Sequence, residues 1–108
     1  MDRPTLDELS LLHANVCKAL SEPTRILILY AINEQPRFVT ALAQELGMPQ
    51  PTVSRHLNLL RRRGLVTSVR EGPAVIYKLA DPRIIDILNS MRLLLRDSLK
   101  RQTQVLGR

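Results

Sequence analysis

A chain of 108 residues carries 16 Lys or Arg against 10 Asp or Glu, a net charge of +6 that points to a polyanionic partner, and it has room for one domain. Its composition, 44% hydrophobic and 24% charged, excludes a disordered chain. A single Cys excludes an intrachain disulfide and a multi-cysteine zinc site, three aromatic residues disfavour base stacking on single strands, and no apolar run approaches the roughly 20 residues of a membrane span.

Met1–Glu8 mixes charges and has no signal-peptide core, so a cytoplasmic protein without a membrane partner is expected. Leu6, Leu9, His13, Val16 and Leu20 recur at three- and four-residue steps and predict a helix over about 5–20. Pro23, suited to a first helical turn, opens a second helix with Ile26, Leu27, Leu29 and Tyr30 on its apolar side; Asn33 and Pro36 end it. A short third helix over Val39–Leu46 starts near Arg37 or Thr40, turns Leu42, Ala43 and Leu46 inward, and stops at Gly47. Gly47-Met48-Pro49 is a very short turn into a fourth helix, about Gln50 to Arg63, closed by Gly64. Residues 65–70 and 75–79 read as a β-hairpin about Glu71-Gly72-Pro73-Ala74. The last helix runs from Pro82 to about Val105, with a stripe of Ile84, Ile87, Leu88, Met91, Leu94 and Leu95 that Leu93 and Leu99 widen beyond the needs of one small core.

Short helix, tight glycine turn, second helix and hairpin make a winged helix-turn-helix, a mainly α fold with a small β-hairpin. The single domain spans 1–108, with the helix-turn-helix at about 39–63 and the wing at about 65–79. At roughly 100° per residue, Val53, Leu57 and Leu60 form the core face of the fourth helix. Pro51, Arg55, Asn58 and Arg62 point away from it; Ser54 and Arg61 lie on one flank, Thr52, His56 and Arg63 on the other. From Met48 to Arg70 there are five arginines and no acid, an electrostatic footprint for an anion. The N-terminal half of such a helix reaches base edges: Gln50 matches adenine and Arg55 guanine, while Thr52, Ser54 and His56 suit bases or phosphates. Arg61, Arg62 and Arg63 sit too far along to read bases and are phosphate contacts or solvated cations. Arg70 and Lys78 flank the wing tip, where an arginine can lie on the backbone or in a minor groove; Glu71 works against this.

Ala19-Leu20-Ser21-Glu22-Pro23-Thr24-Arg25-Ile26-Leu27-Ile28-Leu29 resembles the opening of ArsR/SmtB-type bacterial repressors. Gln50-Pro51-Thr52-Val53-Ser54-Arg55-His56-Leu57 with Leu60 and Arg63-Gly64-Leu65-Val66 is similar to their recognition helix, and Arg70-Glu71-Gly72 with Tyr77-Lys78-Leu79 to their wing. The resemblance covers about residues 9–95. It implies a homodimeric repressor of five helices plus wing, paired through helices at about 5–20 and 82–105, with Leu9, Leu12, Val16, Leu88, Met91 and Leu95 at the interface. It also implies an inverted-repeat operator with half-sites about one helical turn apart, and release of DNA when an effector binds. Pro49 departs from the pattern, since a serine there in many relatives would cap the reading helix.

Two metal sites typical of such repressors lack their donors. Arg37–Leu42, where one class has Cys-x-Cys, holds no cysteine, and the last helix holds no histidine. No metal or cofactor is therefore expected, and the effector is open. His13 and Cys17, four residues apart, are the alternative donors for zinc or copper(I), and Cys17 is the alternative redox sensor. Against this, both residues suit packing in or beside the first helix's apolar stripe. A protein-binding module with a basic face is a second alternative to repression. Two histidines, one cysteine and no convergent acid–base cluster give an enzyme nothing to work with.

Overall fold

A computed structural model describes residues 2–106. Helix α1 covers Leu6–Leu12, α2 Pro23–Glu34, α3 Val39–Leu46, α4 Gln50–Arg62 and α5 Arg83–Leu106; strands β1 (Arg37–Phe38), β2 (Val66–Glu71) and β3 (Ala74–Leu79) form one antiparallel sheet in the order β1-β3-β2.

The hydroxyl of Thr5 accepts the Glu8 amide at 3.2 Å, and Asp7 and Glu8 complement the helix dipole, so α1 starts where its cap dictates. The expected unbroken helix over 5–20 is not found. Beyond Leu12 the chain widens into a π-helical turn, His13–Cys17, and tightens into a 3₁₀ turn, Ala19–Ser21. Asn15 supplies the physical reason: its Nδ2 donates to the Leu11 carbonyl at 2.8 Å, the acceptor its own amide takes in a regular α-helix. No residue of α1 is buried.

Glu22 caps α2, accepting the Arg25 amide at 3.3 Å, with Pro23 in the first turn. The core face of α2 is Ile28, Leu29, Ala31 and Ile32. Of the apolar side expected for this helix, Leu29 is buried, Ile26 and Tyr30 pack on the core's margin, and Leu27 is exposed. The helix packs against α4, β3 and α5 at once, which rotates its buried face away from the one that periodicity suggested.

Strand β1 was not legible: two residues cannot show alternation, and the pair takes its register from β3 (Arg37↔Tyr77, Phe38↔Ile76). The N-cap of α3 is accordingly Phe38, not Arg37 or Thr40, and makes no side-chain cap bond. Arg37 instead pairs with Glu34 at 3.0 Å and with Glu45, tying α2 to α3. Gly47 ends α3 in the left-handed region (φ +65°), and the Met48 amide returns to the Ala43 carbonyl at 3.0 Å. This reversal sets the angle between α3 and α4.

The core gathers Ile28, Leu29, Leu42, Val53, Leu57 and Leu60, all fully buried, with Val66, Tyr77, Ile84, Ile85 and Leu88 around them. At 1.5 Å per residue α5 is about 36 Å long, yet its buried residues end at Leu88, and positions 89–97 are all exposed. The radius of gyration, 16.7 Å, exceeds the roughly 13 Å of a compact domain this size, because α1 and the distal half of α5 project from the core. Among the described residues no helix is long and apolar enough to cross a membrane.

Candidate nucleic-acid interface

Helix α4 is anchored by Val53, Leu57 and Leu60 on one side. Its opposite side presents Gln50, Pro51, Arg55, Asn58 and Arg62, all exposed, with Thr52 and Ser54 half-buried beside them. Pro49 caps nothing with its side chain, but little capping is needed. Pro51 has no amide hydrogen, and the amides of Thr52 and Val53 both donate to the Pro49 carbonyl, at 3.1 and 3.2 Å. The helix thus begins at Gln50, whose amide and side chain stand at its positive end.

Arg55, Arg61, Arg62, Arg63, Arg70 and Lys78 take part in none of the ion pairs among the described residues. Arg37 and Arg83, in contrast, are paired with carboxylates. The cations of α4 and the wing are thus unpaired among the described residues, and their charge is available to an anion. Arg61 and Arg62 also sit in the last turn of α4, where cations favour the dipole. Arg55 Nη2 lies 3.5 Å from Thr52 Oγ1, too long to hold it against a base or phosphate.

His56, expected on a flank of α4 as a phosphate or base contact, sits deeper than the outer-face residues. Its side chain is largely buried, and Nε2 lies 3.7 Å from Glu22 Oε2 at the start of α2. It belongs to the seam between α2 and α4 and does not join Arg55 and Asn58 on the outer face.

The wing turns through Gly72 and Pro73, and Gly72 has φ +60°, the sign needed at the first central position of a tight hairpin turn with glycine there. Cross-strand partners share a face. Arg70, opposite Val75, therefore lies on the face of Val66 and Tyr77 that packs inward, one pair from the tip, where no core remains to cover it. Lys78 pairs with Thr67, four pairs below Glu71↔Ala74, and lies on the other face. The two cations expected to flank the tip are on opposite sides of the sheet.

Sequence reasoning gave Arg25 no role, and the structure does. Its guanidinium donates to the carbonyls of Ala19 (2.7 Å) and Lys18 (3.0 Å), locking the end of the N-terminal helical segment onto α2.

His13 and Cys17 are both exposed on the π-helical turn, not packed along an apolar stripe. Among the described residues no group of three or more His, Cys, Asp or Glu comes together as a metal cage. The two donor sets of the metal-sensing repressors do not fit this chain: β1 and the first turn of α3 offer neither thiol nor imidazole, and α5 has no histidine.

Of the residues expected between protomers, Leu9, Leu12, Met91 and Leu95 are exposed and Val16 is half-buried. Leu88 is 2% exposed within the single chain, so its side chain serves the chain's own core. Most of the exposed large apolar side chains lie on α1 (Leu6, Leu9, Leu11 and Leu12) and α5 (Ile87, Met91, Leu93, Leu94, Leu95 and Leu99).

Residues 22–68 match the family model of the bacterial regulatory proteins of the arsR family. The chain is 42% identical over 71 residues to the HTH-type transcriptional repressor SmtB of Mycobacterium tuberculosis, a match covering 66% of this chain and 53% of that repressor, so the chain spans about half its length. It is 36% identical over 96 residues to the uncharacterized HTH-type transcriptional regulator Rv0081 of the same organism, covering 88% of this chain and 84% of Rv0081. The crystal structure of Rv0081 superposes with a TM-score of 0.78 over 94% of this chain and 99% of that one. A homodimeric winged helix-turn-helix DNA-binding domain, Mb0332 from Mycobacterium bovis, superposes with a TM-score of 0.76 at 29% identity, over 94% of this chain and 95% of that one.

Proposed function

Because the chain belongs to the arsR family of bacterial regulatory proteins, we propose that it is a transcriptional repressor that binds an inverted-repeat operator as a homodimer. The observation that carries this reading is the outer face of α4: exposed Gln50, Arg55, Asn58 and Arg62, no carboxylate paired with its arginines, and Arg70 at the end of the neighbouring wing. Gln50, Pro51, Thr52, Ser54 and Arg55, in the first half of the helix, meet base edges or the phosphates beside them. Asn58, Arg62 and Arg70 meet the backbone and set register. A regulator that reads chromosomal DNA works in the cytoplasm.

Self-association is supported by the exposed leucines of α1 and α5, too many to leave in water, and by the homodimeric domain the chain resembles. A two-fold dimer places two reading helices one helical turn apart and so demands a palindromic site. With neither usual donor set present, repression does not depend on those metal sites. The exposure of Cys17 favours a second reading, in which an oxidant or a soft metal acts through this thiol, with His13 beside it, to release DNA.

The test is a titration of the full chain against a randomised duplex pool, with and without reductant, zinc and copper(I). Enrichment of an inverted repeat supports the repressor. Loss of binding with oxidant or metal, abolished by Cys17→Ser, supports the second reading. Absence of any duplex binding at modest salt refutes both and favours a protein-binding module.

A further inference from the structure

A pocket of about 410 Å³ opens where the 3₁₀ turn before α2 meets the C-terminal end of α4, lined by Lys18, Ala19, Ser21, Arg25, Leu59 and Arg63. Three of these six residues are cations, and none of the three joins an ion pair among the described residues.

Arg25 is half-buried and held in place. Its Nε donates to the Ala19 carbonyl and its Nη2 to the Lys18 carbonyl, while Nη1 donates to no described residue. A guanidinium with some donors tied to the protein and others free is pre-organised for an oxyanion. Carbonyls at the end of a helical segment ordinarily repel an anion, but here they are covered. The Lys18 carbonyl accepts from the Ser21 amide (3.2 Å), the Ser21 hydroxyl (2.7 Å) and Arg25, and the Ala19 carbonyl accepts from Arg25. The neighbouring acid, Glu22, is engaged elsewhere: Oε2 accepts the Arg25 amide and faces His56. Lys18 and Arg63 are exposed and long enough to close over whatever Arg25 holds.

We infer that this pocket binds a phosphate-class oxyanion between the fixed guanidinium of Arg25 and the flexible cations of Lys18 and Arg63. Arg63 lies roughly 100° round the helix from Arg62, toward α2 and off the outer face of α4, so the pocket is separate from the base-reading contacts. Its walls come from α4 on one side and from the segment that carries α1 on the other. An anion there ties the reading helix to the N-terminal helix. The phosphate has two sources, a free phosphate ester or a backbone phosphate of bound DNA; the second rests on the DNA-binding reading above.

The experiment is a calorimetric titration of the full chain with inorganic phosphate at low ionic strength. It compares the wild type, the double variant Lys18→Gln/Arg63→Gln, and Arg55→Ala/Arg62→Ala as a control for uptake by the reading face. All four residues are exposed, so both variants keep the fold, as circular dichroism checks. Lys18→Gln/Arg63→Gln is expected to weaken phosphate binding roughly tenfold or more, and the control to leave it within about twofold. A second arm measures duplex affinity against salt. A slope reduced by about 0.9 for each lost contact in Lys18→Gln/Arg63→Gln supports the site with the DNA backbone as source. Lost phosphate binding with an unchanged slope supports it with a free ligand. Phosphate binding that is absent in the wild type, or that survives Lys18→Gln/Arg63→Gln, overturns the inference when the slope is also unchanged. Failure of the DNA-binding reading shows separately, as a wild type that binds no duplex, and leaves the phosphate arm intact.

Discussion

His56 Nε2 lies 3.7 Å from Glu22 Oε2, and this contact separates two jobs on one helix. Glu22 also caps α2. The largely buried His56 therefore faces the start of α2, while Arg55, one residue earlier, faces out. Removing His56 is expected to lower stability without changing which bases are preferred. Glu22→Ala, which removes cap and partner together, should cost about 1 kcal/mol through the cap alone. Chemical denaturation of both variants, alongside operator selection with His56→Ala, checks this; an altered base preference in His56→Ala would return the residue to the DNA contacts.

Arg55 and Arg62 should fail differently. Arg55→Ala is expected to relax selectivity at one base pair, a loss of about 1–3 kcal/mol against the preferred base. Arg62→Ala and Arg70→Ala should weaken binding to all duplexes alike and lower the salt slope by about 1 each. Selection from a randomised pool and affinity measured across a salt series distinguish the two patterns.

Leu88 and Met91 are three residues apart on α5, and only one is free to meet a partner. Leu88 is 2% exposed and Met91 46%. Met91→Glu or Leu95→Glu is expected to split the proposed dimer with the fold retained. Leu88→Ala is expected to cost the chain's own fold about 2–5 kcal/mol. Sedimentation and thermal denaturation read the two effects separately; a Met91→Glu/Leu95→Glu chain that stays dimeric would place the interface elsewhere.

Gly47 has open space where a Cβ would stand, with nothing within 4 Å, but its φ is +65°. Gly47→Ala is therefore expected to destabilise by about 1 kcal/mol through backbone conformation and not through a clash. DNA affinity should fall no further than the loss of folded protein explains, unless the α3–α4 angle shifts as well.

Asp81 accepts the backbone amide of Arg83 at 2.9 Å and its guanidinium at 2.7 Å. The Arg83 side-chain hydrogen bond, then the backbone bond, hold the Asp81 carboxyl below its ordinary value of 3.8. A folded-state value lowered in this way contributes stability that is fully present above the ordinary carboxylate range and is lost as pH falls through the folded value. Asp81→Asn should thus narrow the stability difference from wild type on acidification below about pH 4. The effect is small because the pair is solvated. Denaturant midpoints between neutral and acid pH are the measurement.

Much of this molecule is written in its linear pattern. Helix spacing, the glycines at 47 and 72 and the triplet Val53, Leu57 and Leu60 depend on local backbone rules, and they placed α2 to α5, the wing and the outer face of α4 close to where they stand. Four features escaped the pattern, three set by contacts distant in sequence and one by a local competition that periodicity does not register. Strand β1 is too short to carry a period and exists because β3 offers it an edge. The break after Leu12 depends on an Asn15 side chain competing for one carbonyl. His56 lies beside Glu22, thirty-four positions away, a neighbour that only the packing of α4 on α2 brings to it. Leu88 and Met91 share one apolar stripe in the sequence, and only the packing of α5 against α2 decides which of them the core covers. Periodicity reports that a side is apolar. What lies against that side is set by contacts distant in sequence, and no local pattern contains them.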